Sequence, residues 1–252
     1  MLPPGGKTTT RAPLFPSTRW TIVLQAGDDE TSSRQSLNAL SELCRIYWRP
    51  LYLFLRREGF SPDDAQDLTQ GFFADLIETH AYARADREKG RFRSFLLGAF
   101  KHFVADARDR ARAQKRGGGI VPEQFDEKAI SEVEAQVGRA TRWKADHVYE
   151  REWAASLLRQ AWERLAQECA LAGKAALFDS LKPYLSATGE TAVPYEEMAP
   201  RLHRPVATLR SDVARLRARY RAILREEVRD TVAEASEVDE ELRHLCRVLV
   251  EA

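Results

Sequence analysis

The chain has 252 residues, of which 44% are hydrophobic and 31% are charged, and its formal net charge is +1. This length suffices for one large domain or two small ones with packed cores, and so balanced a total excludes any inference about partners from net charge alone. No apolar run of about 18 residues occurs, so we expect no membrane span. The first 16 residues lack the apolar stretch of a signal peptide, so we predict a disordered segment over 1–14 and a cytoplasmic protein.

The first part of the chain predicts a helical domain over 15–116. Apolar residues recur at helical spacing, and the alternation typical of strands is nearly absent, so the predicted fold class is all-α. Gly59 is expected to end the first helix, and Ser61, followed by proline and two aspartates, is typical of a helix N-cap. The predicted helices cover 33–57, about 62–78 and about 91–115.

Three consecutive glycines at 117–119 predict a break, and the acidic, weakly periodic residues after them predict a flexible linker over 117–147. A second helical domain is predicted over 148–229, with an acidic C-terminal helix over 230–252. Ser236 begins a Ser-x-x-Asp pattern that predicts the cap of that last helix. The helices predicted in the second domain lie near 149–172, 174–186, 194–202 and 205–228.

Charge is segregated along the chain. Residues 84–116 hold eleven basic and four acidic side chains, and 201–225 hold eight arginines and one aspartate. Residues 58–78 hold six acids and no base. Two basic helices in separate domains favour contacts with one phosphate backbone, because neutralised phosphates release counterions. The alternative is that both helices simply expose a solvated basic face.

Residues 90–108 interleave aromatic and basic side chains, which can stack on unpaired bases and hold phosphates. Helical spacing places most of these rings in the core and leaves one or two for DNA. The segment 64–73, Asp-Ala-Gln-Asp-Leu-Thr-Gln-Gly-Phe-Phe, together with 92–108, resembles the second region of extracytoplasmic-function (ECF) sigma factors. The resemblance implies that Asp64, Asp67 and Gln70 face RNA polymerase. It implies that the −10 promoter element is contacted by Lys101, His102, Arg108, Arg110 and Arg112.

Residues 195–217 predict a helix, a tight turn and a second helix, a helix-turn-helix pattern. The apolar side chains predicted to lock the pair are Met198, Ala199, Leu202, Leu209, Val213 and Leu216. This stretch resembles the fourth region of sigma factors, which reads the −35 element. His203 stands where such turns usually have glycine, so either it tolerates a positive φ or the turn differs. Asp212 is an acid where phosphate is expected. The resemblance implies DNA contacts from Thr208, Arg210, Ser211, Arg215 and Arg217.

The resemblance, which covers about two-thirds of the chain, identifies a sigma factor with core RNA polymerase and promoter DNA as partners. It leaves open an anti-sigma factor or other regulator. In that interpretation the linker sets the reach between the two DNA-binding domains. The alternative is a polymerase-independent helix-turn-helix regulator. The acidic tail predicts either a packing helix or a segment that masks the recognition helix.

An enzyme is not expected. The five histidines are dispersed, no phosphate-binding loop motif occurs, and the aspartates at 63, 64 and 67 are explained by the helix dipole rather than by a metal. We therefore predict no cofactor, no metal and no catalytic residue. The three cysteines are far apart and are expected to be free, mostly buried thiols.

Overall fold

The computed structural model describes residues 33–79, 91–113, 130–134, 143–185, 193–232 and 234–250, with the backbone alone for 33–43 and 111–113. Within these ranges the chain is almost entirely helical and forms no strand, which confirms the predicted all-α fold. The predicted disordered segment 1–14 and the glycine break at 117–119 lie outside them.

The helices follow the predicted order. They are α1 (Ser33–Arg57), α2 (Pro62–Glu78), α3 (Phe92–Ala113), α4 (Ala145–Leu171), α5 (Ala175–Leu181), α6 (Tyr195–Arg201), α7 (Val206–Arg229) and α8 (Val238–Val250), with short 3₁₀ helices at Lys182–Tyr184 and Ala235–Glu237.

The corner between α1 and α2 forms as its sequence predicts. Gly59 adopts φ +90°, its N–H donates to the Arg56 carbonyl at 3.3 Å, and the Phe60 N–H donates to the Leu55 carbonyl at 3.1 Å. This pair of bonds closes a helix end at a left-handed residue. The Ser61 hydroxyl then accepts a hydrogen bond from the Asp64 backbone N–H at 3.1 Å and caps α2.

One apolar cluster contains side chains from α1, α2, α3, α8 and the first half of α4. Trp153 and Tyr149 of α4 are fully buried, as are Tyr47 and Leu51 of α1, and α4 packs along α1. Full burial of one such large side chain contributes about 1.5–3 kcal/mol. Residues from both predicted domains therefore share this core, and the division of the chain into two domains stays a prediction.

Two pieces of the predicted linker are ordered against this core. Residues 130–134 are helical, Val133 is buried, and the Glu134 carboxylate accepts hydrogen bonds from Tyr52 and Arg56, each at 2.6 Å. The hydrogen bonds from Arg56 hold the pKa of Glu134 below its ordinary value. The second piece, 145–147, is the first turn of α4. These pieces differ from the flexible linker that we expected, because an apolar side chain and a carboxylate attach the first of them to α1.

The 3₁₀ turn that leads into α8 is capped by Glu234 and not by Ser236. The cap prediction at Ser236 is wrong because the 3₁₀ turn before α8 begins at Ala235, which puts Glu234 at the N-cap. The Glu234 N–H donates to the Glu237 carboxylate at 3.0 Å, and the Glu234 side chain accepts from the Glu237 backbone in return. This reciprocal arrangement is a capping box.

A buried ion-pair network attaches α8 to the start of α3. Glu241 is fully buried and pairs with Arg93, which is 4% exposed, and with Arg91 Nε at 2.8 Å. Arg93 Nε also lies 2.8 Å from Glu150, and its guanidinium stacks 4.3 Å from the Trp153 ring centroid. The acidic tail is therefore a packing helix, one of its two predicted roles.

We expect Glu241→Gln to lower the free energy of unfolding by about 3 kcal/mol, measured by urea titration. Breaking a buried ion pair leaves a buried charge uncompensated, and the cost lies at the lower end of the usual range because Glu150 still partners Arg93. Glu240→Gln on the same helix is the matched control: Glu240 is 66% exposed and 3.4 Å from Arg91, so its loss should cost less than about 1 kcal/mol. Equal costs for the two variants would contradict the assigned burial of the network.

Candidate nucleic-acid interface

A short turn joins α6 to α7. His203 adopts φ +49°, the first of the two alternatives left open by its sequence position. The His203 N–H donates to the Pro200 carbonyl at 3.3 Å, and the Arg204 N–H donates to the Ala199 carbonyl at 3.0 Å. The turn therefore closes α6 in the way that glycine usually does, with a strained histidine in the glycine position.

The apolar face between α6 and α7 also agrees with the prediction. Leu209 and Val213 are buried, and they pack with Leu181 and Tyr184 of the preceding helices. The other predicted members of this face pack partly buried against the same cluster, namely Met198, Ala199, Leu202 and Leu216. The short helix α6 is thereby held against the first turns of α7, and the opposite side of α7 faces outward.

The first turns of α7 present three of the five predicted DNA-contacting side chains to solvent. Arg210 is 63% exposed, Arg215 is 71% exposed, and Ser211 lies between them on the outward side. Arg210 pairs with Glu196 at 3.4 Å, a contact between two exposed side chains that contributes at most about 1 kcal/mol. Arg210 can therefore exchange this partner for a phosphate or a base. Thr208 is half-buried.

Arg217 differs from the prediction. Its guanidinium donates from two nitrogens to the Tyr184 carbonyl, at 3.1 and 2.5 Å, and so satisfies the end of the 3₁₀ turn at 182–184. Arg217 is exposed, like Arg210, but in this structure its hydrogen bonds hold α7 to the 3₁₀ turn.

Asp212 does not oppose DNA in the way its sequence position suggests. Its side chain is 11% exposed and lies between Arg204, at 3.1 Å, and Arg215, at 2.5 Å. The acid therefore positions two guanidinium groups at one end of the outward face.

Farther along α7, neighbouring helices neutralise much of the positive charge. Arg219 is held by both carboxylate oxygens of Glu168, at 2.7 and 2.6 Å, which raises the pKa of Arg219. Arg225 pairs with Asp239 of α8 at 2.6 Å. The charge count for 201–225 consequently overstates the charge available to a nucleic acid, because most of these arginines pair with acids.

Four of the five predicted −10 contacts on α3 are exposed, and two of these lie over aromatic rings. Lys101 lies 5.4 Å from the Phe54 ring centroid, and the Arg108 guanidinium lies 4.4 Å from that of Phe60. Lys101 also pairs with Asp146, at the start of α4, at 2.7 Å. These side chains line a shallow groove of about 290 Å³. Asp146 lies in the predicted linker, and no pattern in the sequence predicts its contact with Lys101.

The remaining predicted −10 contacts take part in fewer interactions. His102 and Arg110 are exposed, and Arg110 Nε donates to the Asp106 carbonyl at 3.3 Å. Arg112 lies in α3, in the part of that helix for which the backbone alone is described.

The aromatic side chains of α3 face the core, as predicted for most of them. Phe92 and Phe100 are buried, and the half-buried Phe95 and Phe103 pack against the same cluster. Phe103 lies over Gly71 of α2, where an added Cβ would be 3.4 Å from its ring. Gly71 thus gives Phe103 room at the α2–α3 contact.

The outward face of α2 is acidic, with Asp63, Asp64 and Asp67 exposed in its first turns. Gln70 does not belong to that face: only 6% of it is exposed. The prediction that Gln70 faces a partner therefore disagrees with the structure, because the helix turns this position inward beside the buried Thr69 and Phe73.

The part of the chain that the structure describes contains no cluster of three or more histidine, cysteine or acidic side chains suited to a metal ion. No described helix is long and apolar enough to cross a membrane. All three cysteines are free, but Cys246 is exposed and the other two are half-buried, so the expectation of mostly buried thiols was only partly right. Burial raises the pKa of Cys44 to about 11.

Comparison with known proteins gives no match: no model of a protein family, no curated protein and no solved structure matches this chain.

We expect His203→Gly to raise the free energy of unfolding by about 0.5–1 kcal/mol. Relief of a left-handed conformation is worth about 1–2 kcal/mol, and glycine returns part of this by enlarging the entropy of the unfolded chain. His102→Gly, at an exposed position inside α3, should instead destabilise by about 0.3–0.5 kcal/mol, the difference between the helix propensities of histidine and glycine. Thermal unfolding of both variants checks the opposite signs, and a destabilised His203→Gly protein would rule out strain at this turn.

Proposed function

We propose that the chain is a transcription initiation factor of the sigma type, which binds core RNA polymerase and directs it to promoter DNA. The observation that carries the proposal is the outward face at the start of α7. There Arg210, Ser211 and Arg215 follow a closed turn and are exposed together. A helix presented in this way fits the major groove, where arginine pairs with guanine.

The second support is the contrast in charge between α2 and α3. The exposed aspartates at the start of α2 form a negative face, and α3 exposes Lys101, Arg108 and Arg110. A negative face is unsuited to DNA but suits a protein partner with basic side chains. We assign the α2 face to the polymerase and the α3 face to the −10 region of the promoter.

The proposed mechanism is recruitment without catalysis, in the cytoplasm. The α2 face docks on the polymerase, α3 contacts the −10 region, and α7 contacts duplex DNA upstream. Many of the basic side chains available for DNA have exposed acidic neighbours, such as Glu196 beside Arg210 and Asp146 beside Lys101. Since such exposed pairs are weak, phosphate can replace the carboxylates at little cost.

The polymerase contact is tested by charge reversal on α2. We expect Asp64→Arg and Asp67→Arg each to abolish co-purification with core RNA polymerase, and with it transcription from any promoter in a purified system. Both side chains are exposed, so the variants should retain their helical circular dichroism, and their melting temperature should fall only slightly, by the loss of the favourable interaction with the α2 dipole.

Glu163→Arg is the matched control, because Glu163 is 62% exposed on α4 and pairs only weakly with Arg45 at 3.3 Å. It should bind polymerase normally. If both α2 variants also bind normally while DNA binding persists, the chain is better explained as a polymerase-independent regulator.

The DNA contact is tested with duplexes selected from a random pool by the full chain. We expect Arg210→Gln to weaken binding to the selected sequence by about 1–3 kcal/mol and to relax preference at one base pair. Arg225→Gln on the same helix should leave the preference unchanged, because Arg225 lies at the far end of α7, beyond the turns that would enter the groove. Fluorescence anisotropy over a range of salt concentrations measures both effects, and identical behaviour of the two variants would argue against base contacts by Arg210.

A further inference from the structure

A groove of about 620 Å³ lies between the C-terminal half of α4, α5 and α7. Its apolar floor includes Leu165, Leu177, Phe178 and Leu216. Leu216 packs against both of the smaller apolar clusters, one around Phe178 and the other around Leu209. The groove therefore lies where the two smaller apolar clusters meet. Its volume falls within the range of small-molecule sites, about 300–1,000 Å³.

The rim of this groove carries excess positive charge. Its basic side chains are Lys174, Arg204, Arg215 and Arg219, and its acids are Glu168 and Asp212. Each carboxylate oxygen of Glu168 accepts a short hydrogen bond from Arg219. Asp212 alone serves the two remaining arginines. Because one carboxylate serves two guanidinium groups, N–H groups of Arg204 and Arg215 can also donate hydrogen bonds to a second anion.

We propose that this groove binds an amphipathic carboxylate: a small molecule with an apolar chain or ring and a terminal carboxylate. The apolar part covers Leu177, Phe178 and Leu216, and the carboxylate completes the unbalanced cluster of Arg204 and Arg215 around Asp212. Arginine suits this role because its planar fork holds carboxylates with two hydrogen bonds at once.

The ligand would also bear on the function proposed above. Arg215 belongs both to the groove rim and to the outward face of α7. A carboxylate held by Arg215 withdraws this side chain from phosphate and adds a negative charge beside the DNA. This consequence rests on the proposed function, whereas binding of the ligand itself does not.

Calorimetric titration of the full chain with decanoate tests the site, with decanol as the uncharged probe of equal chain length and both kept below their aggregation limits. We expect saturable binding of one decanoate and binding of decanol at least about tenfold weaker, since the charge-assisted hydrogen bonds are lost. Absence of saturable binding, or equal affinity for the two probes, would overturn the proposal.

Two pairs of variants locate the site. Arg204→Gln keeps the Asp212–Arg215 pair and should weaken decanoate binding about tenfold, whereas Arg201→Gln, an exposed arginine of α6 outside the groove, should not. Leu177→Asn should weaken both probes, and Ala176→Asn, at an exposed neighbouring position, should weaken neither. Melting temperatures establish that each variant is folded, and equal losses within either pair would refute the location.

A final measurement separates this inference from the proposed function. Decanoate at a concentration that occupies most of the unaltered chain but little of Arg204→Gln should lower the affinity of the unaltered chain for its selected duplex and should change that of Arg204→Gln much less. If decanoate binds as expected and the chain binds no DNA, the proposed function fails and the groove assignment stands. If DNA binds normally and decanoate does not bind, the reverse holds.

Discussion

The fold depends on α4, which packs into a different apolar cluster along each of its two halves. Its first half supplies Tyr149 and Trp153 to the core shared with α1, α3 and α8, and its second half supplies Ala161 and Leu165 to the smaller cluster with α5 and α7. One continuous helix of 27 residues therefore relates the basic face of α3 to that of α7. A helix buried along both halves cannot bend between them without losing apolar contacts from one core or the other.

Charged side chains serve two different purposes in this molecule. Around Glu241 they are buried, and the network is specific because any unpaired member would leave a charge out of water. On the outward faces they form exposed pairs of low energy, such as Arg210 with Glu196. The first kind fixes the position of α8, and the second keeps basic side chains ordered while leaving them available for exchange. The distribution of these pairs is what favours a nucleic-acid partner on α3 and the start of α7.

Much of the helical architecture could be predicted from the sequence because its signals are local. Apolar spacing, the glycine at 59, the serine at 61 and the histidine at 203 each act within a few residues, and the structure agrees with all of them. Pairings between distant residues could not be predicted in this way. Arg217 was assigned to DNA, but it bonds to a carbonyl 33 residues earlier, and Glu241 finds its arginine 148 residues away.

The long separation between Arg93 and Glu241 also has a consequence for how the chain folds during synthesis. Local helices can form as soon as their residues leave the ribosome, but a contact that spans so much sequence must wait for the later partner and slows folding. Until α8 has emerged, the nascent chain holds the start of α3 without its buried carboxylate. Assembly of the apolar cluster around Trp153 thus waits for the synthesis of α8, and a ribosome stalled before α8 would present an α3 whose buried arginine lacks its carboxylate partner.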